Sequence, residues 1–273
     1  QRPDDFKKMF IDLIDRCKLK EVEPVVIEKE EKLKLSYTDI ETYNSCPLKY
    51  KFKYILKIPE EVGPHVYLGS AIHRTLYEVM STVSKGKKFS VYELKKTFLE
   101  KWGGYRIGDK AWAESLKNAG LRMLENFAKR EMKNRLRIVD LEKKFNLEYD
   151  NFILTGKIDR IDEDENGEIY IVDYKTGRIG TSEKANTKAD DQLFIYALAS
   201  PNLYDKIPAE VAYYYLSDDR LVSFIVSEKD LQRVLEKISG VVDKIAKENF
   251  TSTPSSFECG RCSYKNICPD KVD

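Results

Sequence analysis

Between residues 139 and 175 the hydrophobic period of this 273-residue chain changes from helical to alternating. Three runs, 139–149, 152–162 and 168–175, read as β-strands, with turn residues at Asp150-Asn151 and Glu165-Asn166-Gly167. The last two runs form a hairpin. Helical periodicity precedes them at 4–16, from Ser36 or Thr38 to about Ser45, at Leu48–Tyr54 after Pro47, and at 69–84, 90–102 and 109–137. Ser36 has Asp39 at capping-box spacing. The 109–137 segment reads as one helix burying Trp112, Leu116, Ala119, Met123, Phe127 and Met132. Downstream come a helix at 187–199, a second hairpin at 209–217 and 220–226 around Asp218-Asp219, and a helix at 228–248. This order predicts one α/β core with a helical region before it, not two independent domains. The predicted segments are an N-terminal helix and charged linker (1–34), a mainly helical part (35–137), an α/β core (138–249) and a Cys-rich tail (250–273).

Charged residues make up 34% and hydrophobic ones 42%, the profile of a soluble globular protein. No apolar run approaches the ~20 residues of a membrane span, and no signal peptide is visible, so a cytoplasmic protein is expected. The chain opens on Gln1, which reads as the later part of a longer polypeptide. Net charge is +1, so any binding of nucleic acid must rest on local patches. Lys49, Tyr50, Lys51 and Lys53 interleave aromatic and cationic residues, a pattern that can stack bases and track phosphates. Arg130 and Lys133, with Lys129, Arg135 and Arg137, form a second basic cluster, and Lys85, Lys87 and Lys88 a third.

The hairpin carries the chemistry. Asp159 lies near the end of one apolar run, and Asp173 and Lys175 end the next. Alternation places Asp173 and Lys175 on one face and Tyr174 on the other. Two carboxylates, with the Tyr174 carbonyl as a third oxygen, suit a hard cation such as Mg²⁺. Such a cation activates water against a phosphodiester, and Lys175 can orient that water or stabilise developing negative charge.

Five cysteines, three of them bunched near the carboxyl end, argue against a secreted disulfide framework. Cys259, Cys262 and Cys268, with the distant Cys46, could close a tetrahedral zinc site or hold a 4Fe–4S cluster. Cys17 reads as a buried apolar residue of the first helix, and His65 as structural or solvated.

Several separate elements together resemble the RecB-type PD-(D/E)XK nucleases. They are Leu68-Gly-Ser-Ala-Ile-His-Arg-Thr-Leu-Tyr-Glu, Leu154-Thr-Gly-Lys-Ile-Asp-Arg-Ile-Asp, Ile171-Val-Asp-Tyr-Lys-Thr-Gly and Gln192-Leu-Phe-Ile-Tyr-Ala. The resemblance covers residues 35–270. It implies a restriction-endonuclease-like core, a mixed central sheet flanked by helices. Asp159 and Asp173 match that family's metal-binding acids, Lys175 its catalytic lysine and His73 a further metal ligand. Gln192 and Tyr196 match its supporting, substrate-contacting motif, and Glu142 a less regular acidic position. An imidazole ligand favours Mn²⁺ relative to an all-oxygen site.

One distant and three clustered cysteines resemble the iron–sulfur staple of AddB-type and CRISPR-adaptation nucleases. The implied activity is metal-dependent cutting of DNA, single-stranded or with a free end, as the carboxyl-terminal nuclease of a UvrD-like or RecB-like helicase. The alternatives are a stand-alone CRISPR-adaptation nuclease and a non-catalytic DNA-binding scaffold.

Overall fold

A computed structural model describes residues 32–60, 63–103, 107–179 and 191–272. The predicted 4–16 helix, Cys17 and the start of the predicted 187–199 helix lie outside them. Two compact units divide between Leu33 and Lys34, and every helix named below belongs to the second.

After a short strand β1 (Leu33–Leu35) come helices α1 (Tyr37–Ser45) and α2 (Pro47–Tyr50), the latter running into a π-helical turn at Lys51–Ile55. Ser36 caps α1 through the capping box with Asp39. Helix α3 (Pro64–Val83) begins earlier than its periodicity indicates. Pro64 lies in its first turn, where the missing N–H costs no helical hydrogen bond. Helices α4 (Val91–Trp102) and α5 (Lys110–Glu131) pack on α3. Leu68, Ile72, Leu76, Leu94, Phe98 and Phe127 belong to their shared core.

The predicted start of α5 holds, with Asp109 as its N-cap, but its C-terminal end and two of its buried residues need correction. The helix stops at Glu131, and the chain turns at Asn134, whose Oδ1 accepts from the Leu136 N–H. Leu116, Met123 and Phe127 are buried as expected, but Trp112 and Met132 are exposed. Those two fall in the terminal turns of the segment, where Trp112 meets only the exposed His65 ring among the ring contacts described and stays open to solvent.

Strands β2 (Arg137–Glu148) and β3 (Phe152–Glu163) pair antiparallel along their length, with a bulge between Ile138 and Asp140. β3 also pairs antiparallel with β4 (Ile169–Lys175) over Arg160–Glu163. β4 then pairs in parallel with β5 (Glu210–Tyr215), and β5 antiparallel with β6 (Arg220–Phe224). A parallel neighbour requires a crossover, and α6 (Asp191–Tyr204) lies within it. The result is the expected mixed sheet with flanking helices. Helix α7 (Glu228–Ala246) packs Val234, Ile238 and Val242 inward. A short α8 (Ser256–Arg261) begins the tail. Among the described residues no helix is long and apolar enough to cross a membrane.

Candidate active site and metal centre

Sheet register builds one half of the site. Leu141 pairs with Arg160 and Lys143 with Ile158, which sets Glu142 opposite Asp159. Glu142 has φ 52°, a left-handed conformation inside a strand. Non-glycine residues adopt it at a cost that surrounding structure must sustain, a pattern common at functional sites. Asp159 Oδ2 accepts the Tyr174 backbone N–H at 2.9 Å. Helix α3 supplies His73, whose Nδ1 lies 3.3 Å from Asp159 Oδ1 and whose Nε2 lies 3.1 Å from the Tyr174 carbonyl. Ligating atoms of His73, Glu142 and Asp159 lie within 4.8 Å of one another.

Strand β4 and helix α6 build the other half. Asp173 Oδ1 accepts from Gln192 Nε2 at 3.0 Å and from the Tyr196 hydroxyl at 3.2 Å. Lys175 Nζ donates to Gln192 Oε1 at 2.6 Å and lies over the Tyr213 ring, 4.7 Å from its centroid. The ammonium is also 2.8 Å from Asp173 Oδ2, but it does not make a hydrogen bond of good geometry to it. Apart from that ion pair the buried oxygen meets no hydrogen-bond donor among the described residues, and it has capacity left for a cation.

The electrostatics agree with the geometry. Burial, and then the nearby Asp159 carboxylate, push the Asp173 pKa up to about 6, against the pull of Lys175 and His73. Burial works against a charged His73, yet the Asp159 carboxylate outweighs it and raises the imidazole pKa. Two carboxylates at 7% and 3% exposure, with Glu142 beside them, make a dry acidic cluster. Oxygen donors with one imidazole fit a hard divalent cation. The cluster opens to a cleft of about 680 Å³ also lined by Arg74, Tyr77 and Lys157.

The four cysteines line a separate small cavity with Ser45, Phe52 and Pro254. Cys46 sits in extended backbone between α1 and α2, Cys259 within α8, and Cys262 and Cys268 beyond it. Among the described residues the donor set within 4.8 Å is that of His73, and no three of the thiols form another. Thiolates on one zinc, each ~2.3 Å from the metal, would stand ~3.8 Å apart. The tail docks by other contacts too. The Tyr264 hydroxyl donates to Ile58 O at 2.9 Å, and Thr253 Oγ1 to Ser45 O at 3.0 Å.

The proposed basic surfaces are not gathered at this cleft. Tyr50 cannot stack bases, which corrects the reading from its alternating pattern. It is buried at 3% exposure, packed between Tyr43, Tyr54 and Phe250. Lys51 lies over Phe250, Lys53 pairs with Glu60 at 2.7 Å, and Lys49 lines the cysteine cavity. Arg130 pairs with Asp219 and covers the Tyr214 ring, and Arg130 and Lys133 both line a second cleft. His65 is exposed, edge-on to Trp112.

That second cleft holds a network the sequence reading missed. Arg160, 2% exposed, donates to Asp162 at 2.8 Å, to Glu131 at 2.8 Å and to the Tyr174 hydroxyl at 3.3 Å. Its signal was the second acid of Asp159-Arg-Ile-Asp, two residues from Arg160 and so on the same strand face.

A sequence profile of the PD-(D/E)XK nuclease superfamily matches residues 34–269. An ATP-dependent helicase/deoxyribonuclease subunit from Carboxydothermus hydrogenoformans is 33% identical over 183 residues, covering 54% of this chain and 16% of that protein. Its Streptococcus pyogenes counterpart is 26% identical over 274 residues, covering 90% of this chain and 24% of that protein. The chain thus spans about a quarter or less of these relatives. A putative exonuclease from Eubacterium rectale superposes with a TM-score of 0.54 at 12% identity, covering 88% of this chain and 90% of that one. Motifs, mixed sheet and profile agree: this chain belongs to the PD-(D/E)XK nuclease superfamily.

Proposed function

We propose that this domain is a Mg²⁺- or Mn²⁺-dependent deoxyribonuclease, an exonuclease on single-stranded DNA and the nuclease module of a cytoplasmic DNA repair and recombination helicase. One observation carries the reading. Glu142, Asp159 and His73 bring ligating atoms within 4.8 Å of one another, beside a buried Asp173 that Lys175 approaches at 2.8 Å. Asp159, Asp173, His73, Glu142 and the Tyr174 carbonyl would hold the metal. When bound, it supplies Lewis acidity and lowers the pKa of water. Lys175, held by Gln192 and the Tyr213 ring, presents an ammonium to the charge that develops on a phosphate. Tyr196 and Gln192 fix the Asp173 carboxylate through Oδ1, so that Oδ2, beside Lys175, would be available to a bound cation. The helicase context rests on the named relatives. The test is cutting of single-stranded DNA, labelled at either end, with Mn²⁺ or Mg²⁺. The wild type should cut it and Asp173→Ala should not, and if both leave it intact the enzyme reading is lost.

The same proposal gives the four cysteines a 4Fe–4S cluster that ties the tail to α1 and α2. The shared cavity and the match of one distant and three clustered cysteines to the iron–sulfur staple support it. Brown protein with about four irons per chain is the expected result. Colourless protein with stoichiometric zinc after anaerobic purification would overturn it.

A further inference from the structure

Among the described residues, three lysine and arginine side chains line the active-site cleft: Arg74, Lys157 and Lys175. Two are committed. Lys157 pairs with Glu142, and Lys175 with Asp173 and Gln192. Arg74 is exposed and pairs with no acid among the described residues. It follows His73 on α3 and shares the cleft face with Tyr77, three residues on. Tyr77 is 48% exposed, whereas the other tyrosines lining the cleft, Tyr174 and Tyr196, are buried. An uncommitted guanidinium and an open aromatic face therefore stand side by side, next to a metal ligand.

We propose that Arg74 and Tyr77 form a nucleotide subsite for an unpaired nucleotide of the substrate strand, beside the scissile bond. The guanidinium takes a phosphate and the ring stacks on the base. This inference rests on the nuclease reading and narrows its substrate. An acidic cluster repels a polyanion, and Arg74 supplies positive charge that is paired with no carboxylate among the described residues. Tyr77 offers a π-face, which a base inside a duplex cannot meet because both of its faces are already stacked. A splayed single-stranded base can, in a sequence-tolerant way.

The test uses the full 273-residue chain with Ca²⁺ in place of the cutting metal. Anisotropy of fluorescein-labelled oligo(dT) and of a blunt dA·dT duplex of equal length reads binding. Tyr77→Ala should weaken oligo(dT) binding about 5–100-fold and leave duplex binding unchanged, and Tyr77→Phe should restore it. Arg74→Ala should weaken oligo(dT) binding and lower its salt slope by about 0.7. Mn²⁺ affinity, measured alongside, should match wild type in every variant. Should Tyr77→Ala disturb it, Tyr77→Leu, which keeps an apolar side chain without a ring, decides the question. Wild-type oligo(dT) binding by the deciding variant, or equal losses on both DNAs, overturns the subsite. The nuclease reading fails separately: a wild type that binds oligo(dT) through Tyr77 yet cuts nothing keeps the subsite and loses the enzyme.

Discussion

His73 on α3 faces Asp159 on β3 with 3.3 Å between Nδ1 and Oδ1, while its Nε2 lies 3.1 Å from the Tyr174 carbonyl. Both ring nitrogens thus meet oxygen, an arrangement that an imidazolium satisfies and a neutral ring, with one N–H, does not. In the metal-free site the protonated ring stands as a cation between two oxygens proposed as metal ligands. Metal binding requires the neutral ring, so loading Mn²⁺ should release a proton. Because Asp159 raises the His73 pKa above its ordinary 6.5, that release should still be seen above pH 6.5, and Mn²⁺ affinity should fall as pH drops. Calorimetry in two buffers of different ionisation enthalpy measures the release. His73→Ala should abolish it and weaken Mn²⁺ by at least the roughly 10–100-fold that loss of a ligand's hydrogen-bonding partner costs. Unchanged affinity in that variant would remove His73 from the ligand set.

Asp173 sets chemistry against stability. Its pKa rises from 3.8 to about 6 in the fold, so the folded state holds the proton more tightly than the unfolded chain. The stability this contributes is complete below the unfolded value and is lost as pH climbs to about 6. Above that, the metal-free protein carries an ionised carboxylate in a dry acidic cluster. Asp173→Asn should therefore stabilise the protein in EDTA at pH 8, by up to about 3 kcal/mol, while ending DNA cutting. Well below pH 6 the gain should shrink, and Mn²⁺ should favour the wild type instead. Calorimetric melts at the two pH values check the sign, and a variant less stable than wild type at pH 8 in EDTA contradicts it.

Most of this site was legible because strand alternation fixes which way consecutive side chains point. Asp173 and Lys175 share the catalytic face, and the Tyr174 side chain turns away to Arg160. The capping box at Ser36 and Asp39 was readable for a similar reason, since a local hydrogen bond needs only local spacing. Burial that depends on distant partners was not readable. Tyr50 looked like a surface aromatic among lysines, but Phe250 from the tail stacks on it. Glu142 could be singled out by resemblance, whereas its left-handed backbone opposite Asp159 required the β2–β3 register. Arg74 and Tyr77 lie inside the histidine motif with nothing in the sequence to mark them, because uncommitted charge shows only once its neighbours' partners are known.

Gly156 tests how the reverse of β3 supports the site. Phe145 lies opposite it across the β2–β3 pair, with its ring over the glycine. A Cβ at residue 156 would meet Phe145 Cζ at 2.3 Å. The ring has little room to retreat, since it packs edge-on to Tyr196 at 6.2 Å and is itself buried. Gly156→Ala should therefore cost about 1–3 kcal/mol of stability and shift Tyr196, which helps hold Asp173. The kinetic signature is a lower kcat for DNA cutting with KM little changed, because the disturbed groups hold the reacting centre. Phe145→Leu should restore part of the lost stability in the double variant. If Gly156→Ala melts and cuts like wild type, the close packing is not as tight as the distances require.

The tail tests whether thiol ligation or ordinary packing holds it. Tyr264 is 2% exposed, meets Phe52 edge-on at 5.6 Å and donates to Ile58 O, and Ser263 bonds Glu60. A single neutral hydrogen bond contributes about 1 kcal/mol, so Tyr264→Phe should leave the tail docked. A cluster joining Cys46 to the tail closes a loop through almost the whole domain, an effect of about 4 kcal/mol by analogy with long-loop crosslinks. Cys262→Ser should thus release the tail where Tyr264→Phe does not. Limited proteolysis reads the difference as rapid cleavage within 250–272, with the remainder persisting. The tail contacts described lie on α1, α2 and the segment after them, away from Asp159 and Asp173. Mn²⁺ affinity should therefore change little in Cys262→Ser even as DNA binding and heat resistance fall. Equal protease resistance in the two variants would mean that packing, not ligation, fixes the tail.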